Sequence, residues 1–249
     1  GESPDIKVPD VWKDELSSGM KLWGIENYEV PLVQFQIQLQ GGMLLENPDK
    51  IGVSNLLAGL MTQGTANKTP EELEYAIEIL GATIQATANK EAIVIHGNTL
   101  AKNYDKTMAL VEEILMEPRW DENEFELQKQ SKLGQIERQK ANPNRIANIE
   151  FDKLIYGEDH ILSHNNLGTT DSVEAITLDD LKAYYNAYFS PNTTRVHVVG
   201  AISKDEVSNS LASLNDTWEP KEVVFPEIAE PAAIATSQLY FYDFPDAKQ

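Results

Sequence analysis

From Val33 to Gln40 the chain reads Val-Gln-Phe-Gln-Ile-Gln-Leu-Gln, apolar residue and glutamine alternating without a break over eight positions. Successive side chains of a strand point to opposite faces, so the pattern predicts a strand with one face on a core and the other in water. A sheet of that kind needs cover on one side, and the rest of the chain offers it in helices. Gly52 to Met61 is small and aliphatic, as expected of a buried helix. Thr69-Pro70-Glu71-Glu72 combines a capping box with proline at the first helical position, and Leu73, Ala76, Ile77 and Leu80 follow at helical spacing.

Further helices are predicted over Tyr104–Met116, over the very polar Asp121–Lys140, and from Asn142-Pro143 to Tyr156. Thr177-x-x-Asp180 opens another with Leu181, Tyr184, Tyr185 and Tyr188, and Lys204–Leu214 is a last one. Strands are expected at Met20–Ile25, 82–88, 91–99, Arg195–Val199 and, beyond a Pro/Glu-rich linker from Pro220 to Pro231, at Gln238–Phe244. The order implies an α+β domain, a mainly antiparallel sheet with helices packed on one face.

Composition excludes several functions. With 20 basic and 40 acidic residues the net charge is −20, which repels phosphate backbones and anionic headgroups, so nucleic acid is a poor partner. The absence of cysteine removes thiolate chemistry of every kind. Apolar runs such as Ala92–Ile95 and Ala232–Ala235 fall far short of the ~20 residues that span a bilayer, so no membrane insertion is expected. No Gly-x-Ser-x-Gly elbow and no glycine-rich phosphate loop occurs.

His160 and His164 have the spacing of a helical metal pair, but loop-forming residues surround them, which favours a hydrogen-bonded loop. His96 and His197 fall within strands as structural residues. Glu122, Glu124 and Glu126 read as a solvated helix face, and the Tyr184, Tyr185 and Tyr188 row as packing. The chain opens Gly-Glu-Ser-Pro-Asp without methionine and is read as a piece of a longer polypeptide.

Gly52-Val-Ser-Asn55-Leu-Leu-Ala58-Gly59-Leu-Met-Thr-Gln-Gly64-Thr65 resembles the zinc-site helix of the insulinase (pitrilysin) metallopeptidase family, whose pattern is Gly-x-x-His-x-x-Glu-His-Met-x-x-x-Gly-Thr. Gly52, Gly64 and Thr65 coincide with it. Asn55 stands at the first zinc histidine, Ala58 at the general-base glutamate and Gly59 at the second histidine. Leu80-Gly81-Ala82, Leu167-Gly-Thr-Thr and Tyr188-Phe-Ser-Pro-Asn through Val-Val-Gly200 are similar to further segments of the family, in the same order. The resemblance also implies a third zinc ligand, a glutamate, at Gln135, and a second essential glutamate seven residues earlier at Gln128.

What the resemblance implies is a mitochondrial-processing-peptidase-like metallohydrolase fold in an inactive peptidase domain over residues 17–245. Residues 1–16 would be a lead-in or linker, and 246–249 the start of a linker to a following domain. The degenerate positions Asn55, Ala58, Gly59, Gln128 and Gln135 leave no catalytic and no metal residue in this chain, and no cofactor. Zinc is expected in a homologous active half of the parent protein, fused or separate, with a peptide as the enclosed substrate. The parent would be a zinc metalloendopeptidase. The alternative is a structural scaffold or assembly subunit of the same fold without peptidase activity. The residues leave the compartment open, and the bacterial periplasm is a family-level expectation.

Overall fold

The computed structural model describes residues 9–231 and 236–241. Six strands form one sheet: β1 (Trp12–Glu15), β2 (Lys21–Glu26), β3 (Leu32–Gln40), β4 (Thr83–Ala88), β5 (Ala92–Leu100) and β6 (Thr194–Gly200), in the order β1-β2-β6-β3-β5-β4. Every pair is antiparallel except β2 with β6. The glutamine alternation is the middle of this sheet: Val33, Phe35, Ile37 and Leu39 are buried, whereas Gln34 and Gln36 are exposed. Burying each of those four apolar side chains contributes about 1.5–3 kcal/mol, which fixes the register, since a slip of one residue would bury the glutamines instead.

Nine α-helices lie among the described residues: α1 (Val53–Met61), α2 (Pro70–Glu78), α3 (Tyr104–Met116), α4 (Glu122–Lys140), α5 (Pro143–Tyr156), α6 (Thr170–Ala175), α7 (Leu178–Tyr188), α8 (Lys204–Ser210) and α9 (Ala212–Thr217). Both capping boxes expected at Thr69 and Thr177 form. α1 is the central helix, with Leu56, Leu57, Leu60 and Met61 buried in the core it shares with the sheet, α3 and α7.

Four features differ from the sequence reading. Trp12–Glu15, inside the stretch read as a lead-in, is an edge strand whose Trp12 ring lies over Gly24, the single β2 position with no side chain to block it. Thr170–Ala175 is a helix with its own capping box at Thr169. The helix expected over Lys204–Leu214 breaks at Leu211 and resumes as α9. Of the strand expected at Gln238–Phe244, residues 238–241 carry no strand structure, and 242–244, like Ala232–Ala235, lie outside the described residues.

Candidate functional site

α1 begins at Gly52, whose backbone is left-handed at φ 118°. Its first N–H groups meet a buried carboxylate: Glu46 accepts from Gly52 N and Ser54 N, each at 2.7 Å. A negative charge at a helix N-terminus is favourable, and these donors hold the anion. Burial acts in the opposite direction and is the larger influence, so the Glu46 carboxyl titrates above the ordinary carboxylate range.

Along α1, Asn55 is 8% exposed and its Oδ1 has no hydrogen-bond donor. Ala58 is 1% exposed and belongs to the apolar core. Gly59 faces α4: a Cβ at this position would stand 2.8 Å from Gln128 Oε1. α1 and α4 are packed together, so the structure brings two of the residues singled out by sequence, Gly59 and Gln128, into direct apposition. Gln135, half-buried, lies two turns further along α4.

The donor chemistry does not fit zinc. Zinc takes imidazole, thiolate or carboxylate ligands, and these positions carry two amides and a glycine. No three His, Cys, Asp or Glu residues converge among the described residues.

Sequence reading overlooked Lys132. It lies four residues after Gln128 and three before Gln135, the spacing that places three side chains on one side of a helix. On a helical projection it falls between the buried Phe125 and Ile136 and the two glutamines, which lie about 40° and 60° to one side. Lys132 is half-buried and burial lowers its pKa, yet it has neither an ion pair nor a hydrogen bond among the described residues. The other half-buried lysines all have a carboxylate or carbonyl partner, as Lys50 has Asp180, Lys68 has Glu113 and Lys129 has the carbonyls of Glu174 and Ile176.

The histidines are structural where the structure places them. His160 caps a single turn, its Nδ1 accepting from Leu162 N at 3.0 Å, its Nε2 3.0 Å from the Ala229 carbonyl and its ring stacked on Tyr156. His164 ends the same turn. His96 and His197 both lie opposite Gln36 on the outer sheet face, and His197 stacks on Trp23 with ring centroids 5.2 Å apart. Tyr184 and Tyr185 pack and donate to the carbonyls of Gly42 and Leu115. A cavity of about 750 Å³ opens between α4, α5 and the segment 163–171 that leads into α6, floored by Ile136, Ile146 and Ile149.

Comparison with known proteins gives the family and the fold. Residues 25–160 match the family model of insulinase, peptidase family M16, and residues 175–248 match that of the peptidase M16 inactive domain. The chain belongs to the insulinase (M16) peptidase family. It is 24% identical over 75% of its length to a Bacillus subtilis protein named uncharacterized zinc protease YmxG, of which the match covers 45%. It is 22% identical, over 75% of its length and 43% of the relative, to a Helicobacter pylori protein named non-peptidase homolog YmxG. The crystal structure of a peptidase M16 inactive domain from Pseudomonas fluorescens superposes with a TM-score of 0.82 at 24% identity, covering 90% of this chain and 54% of that one. The periplasmic protease PqqL from Escherichia coli superposes at 0.75 with 17% identity, covering 91% of this chain and 26% of that protein. The chain thus spans about half the length of the curated relatives it matches. The α+β architecture and the mitochondrial-processing-peptidase-like fold are those of these neighbours.

Proposed function

We propose that this chain is a non-catalytic domain of a larger zinc metallopeptidase, forming part of the wall that encloses peptide substrates and pairing with a homologous active half that carries the zinc. The observation that carries the reading is the α1–α4 apposition, where a glycine and a glutamine meet at positions that the family resemblance assigns to a zinc histidine and an essential glutamate. Neither can ligate zinc or activate water. The match of residues 175–248 to the inactive-domain model supports it. A wall of this kind also needs a surface for extended peptide. β4 is an outer strand of the sheet, bordered by a cavity of about 510 Å³ whose lining includes Leu73, Ile77, Glu74 and Glu78. Free strand edges bind extended chains through main-chain hydrogen bonds, and the two glutamates would favour cationic segments. A periplasmic address is in keeping with the PqqL likeness.

The test is reconstitution. Mixed with a homologous half carrying an intact His-x-x-Glu-His motif, this chain should raise peptide hydrolysis, while alone it should neither cleave peptide nor retain stoichiometric zinc. One tightly held zinc in this chain alone overturns the reading. Association without any effect on hydrolysis favours the scaffold alternative, a reading in keeping with the name of the Helicobacter pylori relative.

A further inference from the structure

We infer that Lys132, with the side-chain amides of Gln128 and Gln135 beside it on α4, is a binding site for a carboxylate of the enclosed peptide. The inference rests on the reading of the α1–α4 face as part of a peptide chamber and goes beyond it by naming the group bound and the residue that binds it. Two observations converge. Lys132 is the one half-buried lysine among the described residues without a partner, in a chain with twice as many acids as bases. A partly desolvated ammonium is costly to leave unpaired, and no acidic residue among the described residues stands against it.

The second observation is position. Gln128 and Gln135 flank Lys132 on the same side of α4, and Gln128 touches α1 at Gly59, so the cation stands on the helix face that carries the degenerate zinc positions. Each of these amides can present its NH₂ by a half-turn of its last torsion. A lysine ammonium with neighbouring amide donors matches a carboxylate, whose two oxygens accept several hydrogen bonds.

The experiment is a titration of the full chain with three N-acetylated alanine pentapeptides: one with a free C-terminal carboxylate, one with a C-terminal amide, and one amidated with an internal glutamate. Binding is read by calorimetry and by the ¹³Cε resonance of Lys132. A charge-assisted hydrogen bond is stronger than a neutral one, so at least one acidic peptide should bind about tenfold more tightly than the neutral one. Which one distinguishes a chain terminus from an acidic side chain. Lys132→Met should abolish the preference and Lys132→Arg should keep most of it. Lys132→Met should also be no less stable than the exposed control Lys106→Met, because no described residue loses a partner.

Equal binding of all three peptides, or a preference that survives in Lys132→Met, overturns the inference and leaves the chamber reading intact. Failure of every peptide to bind also overturns it, and the chamber reading is then judged by the reconstitution above. A preference that vanishes when the active half is added assigns Lys132 to the contact between halves and equally overturns it.

Discussion

Gln128 fills the notch that Gly59 leaves on α1: a Cβ on residue 59 would stand 2.8 Å from Gln128 Oε1, closer than non-bonded atoms tolerate. The atom it would meet is the far end of a flexible side chain, so the conflict is resolved by moving Gln128 rather than the backbone. Alanine in a helix is favoured over glycine by up to ~1 kcal/mol. Gly59→Ala alone should therefore gain only part of that, and Gly59→Ala in a Gln128→Ala background should gain it in full relative to Gln128→Ala. A double-mutant cycle by urea denaturation measures the coupling. A coupling of zero would show that the two side chains do not share the space.

The same relationship governs any attempt to rebuild a metal site. Asn55→His and Gly59→His place two imidazoles one turn apart, and Gln135→Glu adds a carboxylate from the facing helix, a catalytic-type zinc set. The imidazole at 59 and the Gln128 amide compete for one volume. The triple variant should take up little zinc in calorimetry, and adding Gln128→Ala should raise uptake toward one per chain. Ala58→Glu is best left out, since residue 58 lies in the apolar core and an ionised carboxylate there is costly. A folded quadruple variant that ignores zinc would remove the physical basis for aligning α1 with α4.

Glu46 sets the entry to α1 and is a stability determinant. Glu46→Ala strips acceptors from the buried N–H groups of Gly52 and Ser54, and an unsatisfied buried donor costs about 1–3 kcal/mol. A loss of about 2–4 kcal/mol is expected in chemical denaturation. Glu46→Gln keeps one acceptor oxygen, brings no charge to desolvate and should lose much less. Equal losses in the two variants would mean that the space filled by the side chain, not its hydrogen bonds, carries the effect.

How much of this was legible beforehand follows from the range of each interaction. The Val33–Gln40 alternation and the capping boxes at Thr69 and Thr177 are local patterns, and each became the element it predicts. β1 was not legible because its pairing depends on Trp12 finding Gly24 across the sheet. The parallel pairing of β2 with β6 joins residues some 170 positions apart, so no local pattern encodes it. At the site, the family resemblance supplied Asn55, Gly59, Gln128 and Gln135, and the fold showed that Gly59 and Gln128 meet. Lys132 was available in its spacing to both glutamines. Its lack of a partner was not, because that depends on where every carboxylate in the chain comes to rest.

The outer sheet face predicts a pH dependence. Burial in the first place, and Arg195 in the second, hold the His197 imidazole below its ordinary value, while its ring stacks on Trp23. The folded state thus binds the proton less well than the unfolded chain does. Between the folded value and the ordinary value of about 6.5, the unfolded state carries more protons, so stability rises with pH across this window and is lost as pH falls through it. His164 shifts in the same direction, through burial and Lys153, and adds to the slope. The unfolding free energy should therefore drop between pH 7.5 and pH 5.5, and His197→Gln, which cannot titrate, should lose part of that drop while keeping a side chain on the sheet. Carboxylates contribute equally to both proteins, so the difference between wild type and variant isolates the imidazole. A variant whose stability falls as steeply as the wild type's would show that His197 titrates alike in the folded and unfolded chain.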